Sequence, residues 1–504
     1  MDHTEILREY LPRLAKFYLE DNRKKTLKWY SETEGTFLVA FGGDGCPFRK
    51  KQNATSFSIS FLNAGRKVAS SHHNFTVFGA NCDETSPVIK KYLNLFLKQV
   101  AGLDGKLFQM ENGFTVTFKF EEMPNDMKML AMLGGVLTCS EKIFFSFANV
   151  CKDNKSDLKG TFGSEPSNKW KPWSYEGGEK VVKLVGRFKK SLSEKKTSNA
   201  RKKVTEFIGS NQSRQEFMPL VRKLIQKAHV EPLHLKNNAW QYFFRAFLKE
   251  AIAKSKLPSN CKTFAEVPND SVFAKVITAL QFEVKTKCLA RKVKDWFNET
   301  QGIGKDLTDR FTGKDSRLLS QNYMILIKWL VTEDDSDADR IKVLVYVYLG
   351  QRLRDCVSLI NHFDISEDDL NQLEKAAKDY FTINALFVEN SVNPTIWTLG
   401  HVVPTHAFQV YKKYGQGLIM VTMEGREAKH IYLKKLSENT TYKGRWHEIL
   451  KHEFIMLIWL PENLPKPRMR TISPKGFLKT QVYAIVALQK VVQKMSDVAF
   501  VLIL

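Results

Sequence analysis

The sequence predicts an α/β protein: a mixed β-sheet, then a large all-helical insertion, then one more helix that returns to the sheet. Three observations carry this. Strand-like apolar runs follow one another directly between 36 and 79, as in an antiparallel meander. Strand patterns then alternate with helical ones up to residue 150, which adds parallel neighbours. From 216 to 392 almost every periodic stretch has helical spacing.

The elements follow in order. Residues 3–30 read as a helix, with Leu7, Leu11, Leu14, Phe17 and Tyr18 at helical spacing. "TFLVAFGGDG" (36–45) is an apolar run closed by glycines and predicts a buried strand that stops at Asp44. "TSFSISFL" (55–62) alternates strictly and reads as a second strand, and "NFTVFG" (74–79) as a short third. "SPVIKKYLNLFLKQV" (86–100) is a helix with Pro87 in its first turn. "GFTVTFKF" (113–120) is a fourth strand. Asp126 then caps a short helix that ends at Gly134 and Gly135. "EKIFFSFANV" (141–150) is a fifth strand. The order β-β-β-α-β-α-β is that of a ribonuclease-H-like fold. That fold carries carboxylates at the end of strand one, at the end of strand four and on a helix after strand five.

The bulk numbers narrow the function. The chain has 504 residues, 43% hydrophobic and 26% charged, which is globular and long enough for two or three domains. Lys and Arg number 77 against 54 Asp and Glu, a net charge of +23, which points to a polyanionic partner, nucleic acid before an anionic membrane. The N-terminus lacks the apolar core of a signal peptide. No run reaches the roughly 18–20 apolar residues of a membrane span. The closing "DVAFVLIL" reads as a buried terminal element or as the sign of a shortened chain. The seven cysteines are widely spaced without Cys-x2-Cys, as expected of free thiols in a reducing compartment.

Between 160 and 215 the chain is rich in Gly, Ser, Lys and Trp. Lys180, Lys183, Arg187, Lys189, Lys190, Lys195, Lys196, Arg201, Lys202 and Lys203 form a basic run. It reads either as a solvated helix-loop-helix face or as a surface for a phosphate backbone, with Trp170, Trp173 and Tyr175 upstream. Helices are expected over 218–228, 239–254, 273–297, 322–331, 339–363 and 367–388, with "TEDDSDAD" (332–339) as an acidic connection.

Two-metal phosphoryl transfer needs about three carboxylates on a rigid frame, and Mg²⁺ or Mn²⁺ prefers such oxygen ligands. Asp44, Asp126 and Glu424 stand where the topology asks for them. Each also has a plain reading: a turn aspartate, a helix cap and a surface helix residue. The long gap before Glu424 fits a helical insertion. "GGDG" is not a dinucleotide fingerprint, and "GIGKDLTDRFTGKDS" is not a phosphate loop.

At these residues the chain resembles a known family. From about 36 to 460 it is similar to the catalytic core of the V(D)J recombination-activating recombinase and its Transib transposase relatives. "TLGHVVP" and "EGREAKH" resemble the family's Thr-Leu-Ala-His-Val-Pro stretch and its catalytic glutamate segment. "GGDG" and "FKFEEMPNDMKML" resemble the first two acidic segments, and "EPLHLKNNAWQYFF" the family's Leu-His segment. The resemblance implies Asp44, Asp126 and Glu424, rather than Glu427, as ligands of two Mg²⁺ (or Mn²⁺) ions, with His234 near the scissile phosphate. It implies metal-dependent DNA strand nicking and transesterification by a nuclear, DNA-binding homodimer without a membrane association. Lys429, Lys434 and Lys435 join the basic run as expected backbone contacts.

There are departures from the family. Its zinc ligands fall here on Ala148, Cys151, Ile396 and His401, so two of four are lost and a zinc site is not expected, although His401 and His406 form a His-x4-His in a shifted register. Only about 35 residues precede the core, where the family has DNA-binding modules. The expected organisation is an N-terminal helical segment (1–35), the first part of the core (36–158), a basic linker and helical insertion (159–395), the core completion with its catalytic helix (396–460) and a tail (461–504). The alternative expectation is a domesticated, inactive core that binds nucleic acid or protein. A plain ribonuclease-H-like nuclease fits the long insertion least well.

Overall fold

The computed structural model describes residues 6–459 apart from 21–24, 47, 49–52, 111–112, 138–146, 195–198, 304–305, 308–309, 389 and 439. The expected tail at 461–504 lies outside the described residues. Helix α1 (Ile6–Leu19) precedes strands β1 (Thr36–Gly45), β2 (Thr55–Phe61) and β3 (Phe75–Ala80). Then come α2 (Pro87–Leu103), β4 (Leu107–Gln109), β5 (Thr115–Glu122) and α3 (Met127–Gly134). The strands form one mixed five-stranded sheet in the order β3-β2-β1-β5-β4. β1 pairs antiparallel with β2 and parallel with β5, so β1 and β5 end on the same side.

β1 is buried on both faces, and its alternation sorts two cores. Phe37, Val39 and Phe41 face α1 and α2, with the Phe41 and Phe96 rings stacked at 3.8 Å. Leu38 and Ala40 face a second core that runs into the helical part of the chain. β4 is a strand that the sequence reading lacks: a three-residue edge paired antiparallel with β5. Of the expected fifth strand, 141–146 lie outside the described residues. Residues 147–150 form no strand, only an isolated bridge between Ala148 and Pro172.

The rest is helical. α4 (Tyr175–Glu194) and α5 (Ala200–Ser210) pack on each other through Val185, Leu192, Val204 and Ile208. α6 (Pro232–Lys254), α7 (Val272–Phe282), α8 (Lys287–Thr300), α9 (Gly313–Ile327), α10 (Asp337–Ile360) and α11 (Glu367–Phe387) follow. Trp240, buried completely on α6, meets the Tyr323 ring of α9 at 5.9 Å. The expected single helix at 273–297 is two, because Lys285 turns left-handed (φ 61°) and Thr286 bonds back to the Leu280 carbonyl. The expected helix at 218–228 is only a 3₁₀ turn, Arg222–Lys227, entered through a left-handed Arg222 (φ 49°). The chain closes through α12 (Pro394–Trp397), a wide π turn at Thr398–Val402, α13 (Val403–Tyr414), α14 (Glu424–Glu438) and α15 (Arg445–Trp459). Among the described residues no helix is long and apolar enough to cross a membrane.

Candidate metal centre

The glycines of "GGDG" let β1 run tight between its neighbours. A Cβ at Gly42 would lie 2.2 Å from the Pro124 carbonyl, and one at Gly43 would lie 2.3 Å from the Phe57 ring. The Gly43 amide donates to Asn125 Oδ1 at 2.8 Å. This contact ties the end of β1 to the segment after β5 and brings Asp44 and Asp126 to one side of the sheet. Ligands commonly bind beyond the carboxyl ends of parallel strands.

α14 reaches the same place from the far end of the sequence. Gly425 packs against the Val68 carbonyl and Asn74 so closely that its Cβ would lie within 2.3 Å of both. Arg426 is buried beneath β1 and donates to the Ala40 carbonyl (3.3 Å) and Ser60 Oγ (3.2 Å). With Arg426 turned inward, the next residue, Glu427, faces Asp44. One turn on, His430 Nδ1 lies 3.9 Å from Asp44 Oδ2 and 3.6 Å from Glu427 Oε2. Its Nε2 sits 3.4 Å from Ser56 Oγ. Ligand atoms of Asp44, Glu427 and His430 all lie within 4.8 Å of one another.

The electrostatics match this crowding. Burial, then the hydrogen bond and charge of Glu427, then the charge of Asp126, hold the Asp44 carboxyl well above the usual carboxylate range. Burial would raise Glu427 too, but hydrogen bonds from His234, His430 and Asp44 outweigh it and keep it ionised. Two carboxyls this close favour one proton shared between them. His234 Nε2 is 3.3 Å from Glu427, and its Nδ1 donates to Glu231 at 2.7 Å. Burial alone would lower His234, but these two acids push it up to about 11.

The other expected residues are placed differently. Glu424, the first residue of α14, pairs with Lys236 at 2.5 Å, and Lys236 also donates to Asn361. The acid brought to Asp44 is Glu427, one turn further. Asp126 caps α3, its Oδ1 accepting from the Met129 amide at 2.6 Å, and lies outside the three-residue cluster. His234 stands beside the cluster through Glu427. Glu427 and His430 are spaced Glu-x2-His, which puts both on one helix face, and this signal in the sequence could have found them.

The segments that would carry a zinc site do meet. Lys155 donates to the Val392 carbonyl, and the Trp170 and Trp397 rings touch edge to face. His401 lies among Trp170, Phe381 and Trp397, and burial lowers it to about 4. His406 accepts from the Val230 amide at 2.9 Å. Ala148 and Ile396 are packed in the core. Aromatic packing joins these segments. No model of a known protein family matches the chain, and no curated protein matches it either.

Proposed function

We propose that the chain is a metal-dependent phosphoryl-transfer enzyme of the ribonuclease-H-like type that nicks and rejoins nucleic-acid strands. The observation that carries this reading is the Asp44–Glu427–His430 cluster at the shared end of β1 and β5. Two adjoining carboxyls in a half-buried place repel unless a proton or a cation sits between them. Their donor set, two carboxylates and an imidazole, fits a divalent ion. The nitrogen ligand favours Mn²⁺ or another transition ion over Mg²⁺. Three grouped ligands fit one ion, and a second would need the remaining oxygen of Asp126. Bound there, a divalent cation supplies polarisation of a phosphoryl oxygen and a nucleophile at neutral pH. The protein's own residues do the rest. Glu231 fixes His234, His234 orients Glu427, and the buried Arg426 sets the rotation of α14.

The recombinase-like reading extends this to DNA cut in a paired complex. A binding-only protein is the second reading. It is favoured by the internal compensation of the acids: Lys236 neutralises Glu424, and His234 neutralises Glu427.

The test is Mn²⁺- and Mg²⁺-dependent nicking of plasmid DNA by the chain beside Asp44→Ala, Asp126→Ala, Glu424→Gln and Glu427→Gln. Nicking lost in Asp44→Ala and Glu427→Gln, but retained in Glu424→Gln, supports the enzyme. The Mn²⁺ affinity of Glu427→Gln should fall by more than the roughly 10–100-fold that losing an outer partner costs. Absence of nicking, with DNA binding intact in all five proteins, establishes the binding-only reading instead.

A further inference from the structure

A second charged site lies in the helical part, on the turn between α7 and α8. A cavity of about 420 Å³ is lined there by Gln281, Lys287, Cys288, Arg291 and Lys294. Lys287, Arg291 and Lys294 recur at helical spacing, so they form one row on an exposed face of α8. Among the described residues no carboxylate lies within ion-pair distance of Lys287 or Arg291. The nearest acids in sequence do not line the cavity: Glu283 is taken by Lys328 at 2.8 Å, and Asp295 is exposed beside the row. Lys294 is steadied over the Phe264 ring at 4.7 Å, and Lys285 extends the exposed charge beyond the row. Unpaired cations gathered at a concave surface cost repulsion, which an anion relieves.

We infer that this groove binds the phosphodiester backbone of a nucleic-acid strand. The row from Lys287 to Lys294 spans about 10 Å at 1.5 Å per residue. A strand carries roughly one phosphate per 3.4 Å of rise, so the row faces about three. A line of charge of that length, continued by Lys285, suits a polymer better than one compact anion. The groove belongs to α7 and α8 alone and stands whether or not the carboxylate cluster holds a metal.

Cys288 supplies a reporter. It is an exposed free thiol inside the cationic lining, whereas Cys46, Cys261 and Cys356 are buried. The full chain is treated with iodoacetamide, alone, with a single-stranded oligonucleotide, or with tripolyphosphate at equal phosphate concentration. Alkylation is mapped by peptide mass spectrometry, with Cys82 as the internal control. In parallel, oligonucleotide affinity is measured against salt for the parent and for Lys287→Glu/Arg291→Glu. The expected result is protection of Cys288 by the oligonucleotide but not by tripolyphosphate. The double variant should bind about 10-fold more weakly, with a log–log salt slope shallower by about 1.5. Equal protection by tripolyphosphate would make the groove a compact-anion site and overturn the strand assignment. Unprotected Cys288 in the unaltered protein would overturn the site itself, whatever the variant does.

Discussion

Glu231 shows how much one residue holds in place. It is buried, yet its carboxylate accepts from the Leu233, His234 and Met423 amides, each at 2.8 Å, and from the His234 ring. It therefore caps α6, clamps the entry to α14 and fixes the imidazole that touches Glu427. Burial would raise its pKa, but the His234 ring and these amides outweigh that and hold it below the usual range. Glu231→Gln would put an amide NH₂ among donors. Breaking a buried charged pair costs about 3–5 kcal/mol, so the urea midpoint should fall at unchanged slope. An unshifted midpoint would show that the clamp carries no stability. Asp44 was legible because glycines mark where β1 ends, and Asp126 was legible as the cap of α3. Glu427 was not legible in preference to Glu424. The two differ by about 60° around α14, and helix rotation is set by tertiary contacts. The buried stripe of α14 includes Arg426, Lys429, Leu433 and Ser437, so two charged residues hide the apolar pattern that would have given its rotation.

At the scale of elements, α14 depends on close approach. Its second residue, Gly425, touches the chain segment between β2 and β3 with no room for a methyl group. Gly425→Ala gains about 1 kcal/mol of helix propensity. Against that stands overpacking on backbone and a buried Asn74 amide, which costs typically 1–3 kcal/mol. The net expectation is a small loss of stability with a large loss of metal affinity, because the shift moves Glu427 and His430 together. Calorimetric Mn²⁺ titration beside a urea melt separates the two, and unchanged Mn²⁺ affinity would refute the coupling. Elements with a local signature were readable. β1 to β3, α2, β5 and α3 lie close to where alternation, Pro87 and Asp126 put them. The split between α7 and α8 was not, since the apolar spacing runs on through it. A single left-handed residue, Lys285, breaks the helix without a glycine to announce it.

At the scale of the whole molecule, neutral histidines stand at the joints between parts. His73 meets the Tyr18 hydroxyl at 2.5 Å and ties α1 to the sheet. His401 joins the loop carrying Trp170 to α11, and His406 joins α13 to the approach to α6. Burial lowers all three, His73 and His401 to about 4 and His406 well below its ordinary value. Unfolded, each has a pKa near 6.5. Below that value the unfolded chain takes up protons that the folded chain refuses. This contribution to stability is therefore intact above pH 6.5 and is lost as pH falls toward 4. The rate is up to about 1.4 kcal/mol per pH unit for each histidine. His234, raised instead, acts with the opposite sign above pH 6.5 and leaves this window alone. The net charge of +23 adds repulsion on acidification, but it does so equally in a near-isosteric variant. Comparing the protein with His401→Leu isolates one histidine. Urea unfolding free energies at pH 7, 6 and 5 should fall less steeply in the variant, by about one proton's worth of slope. Parallel curves would mean that His401 is already protonated in its aromatic cage, and that the joint tolerates a charge that burial should forbid.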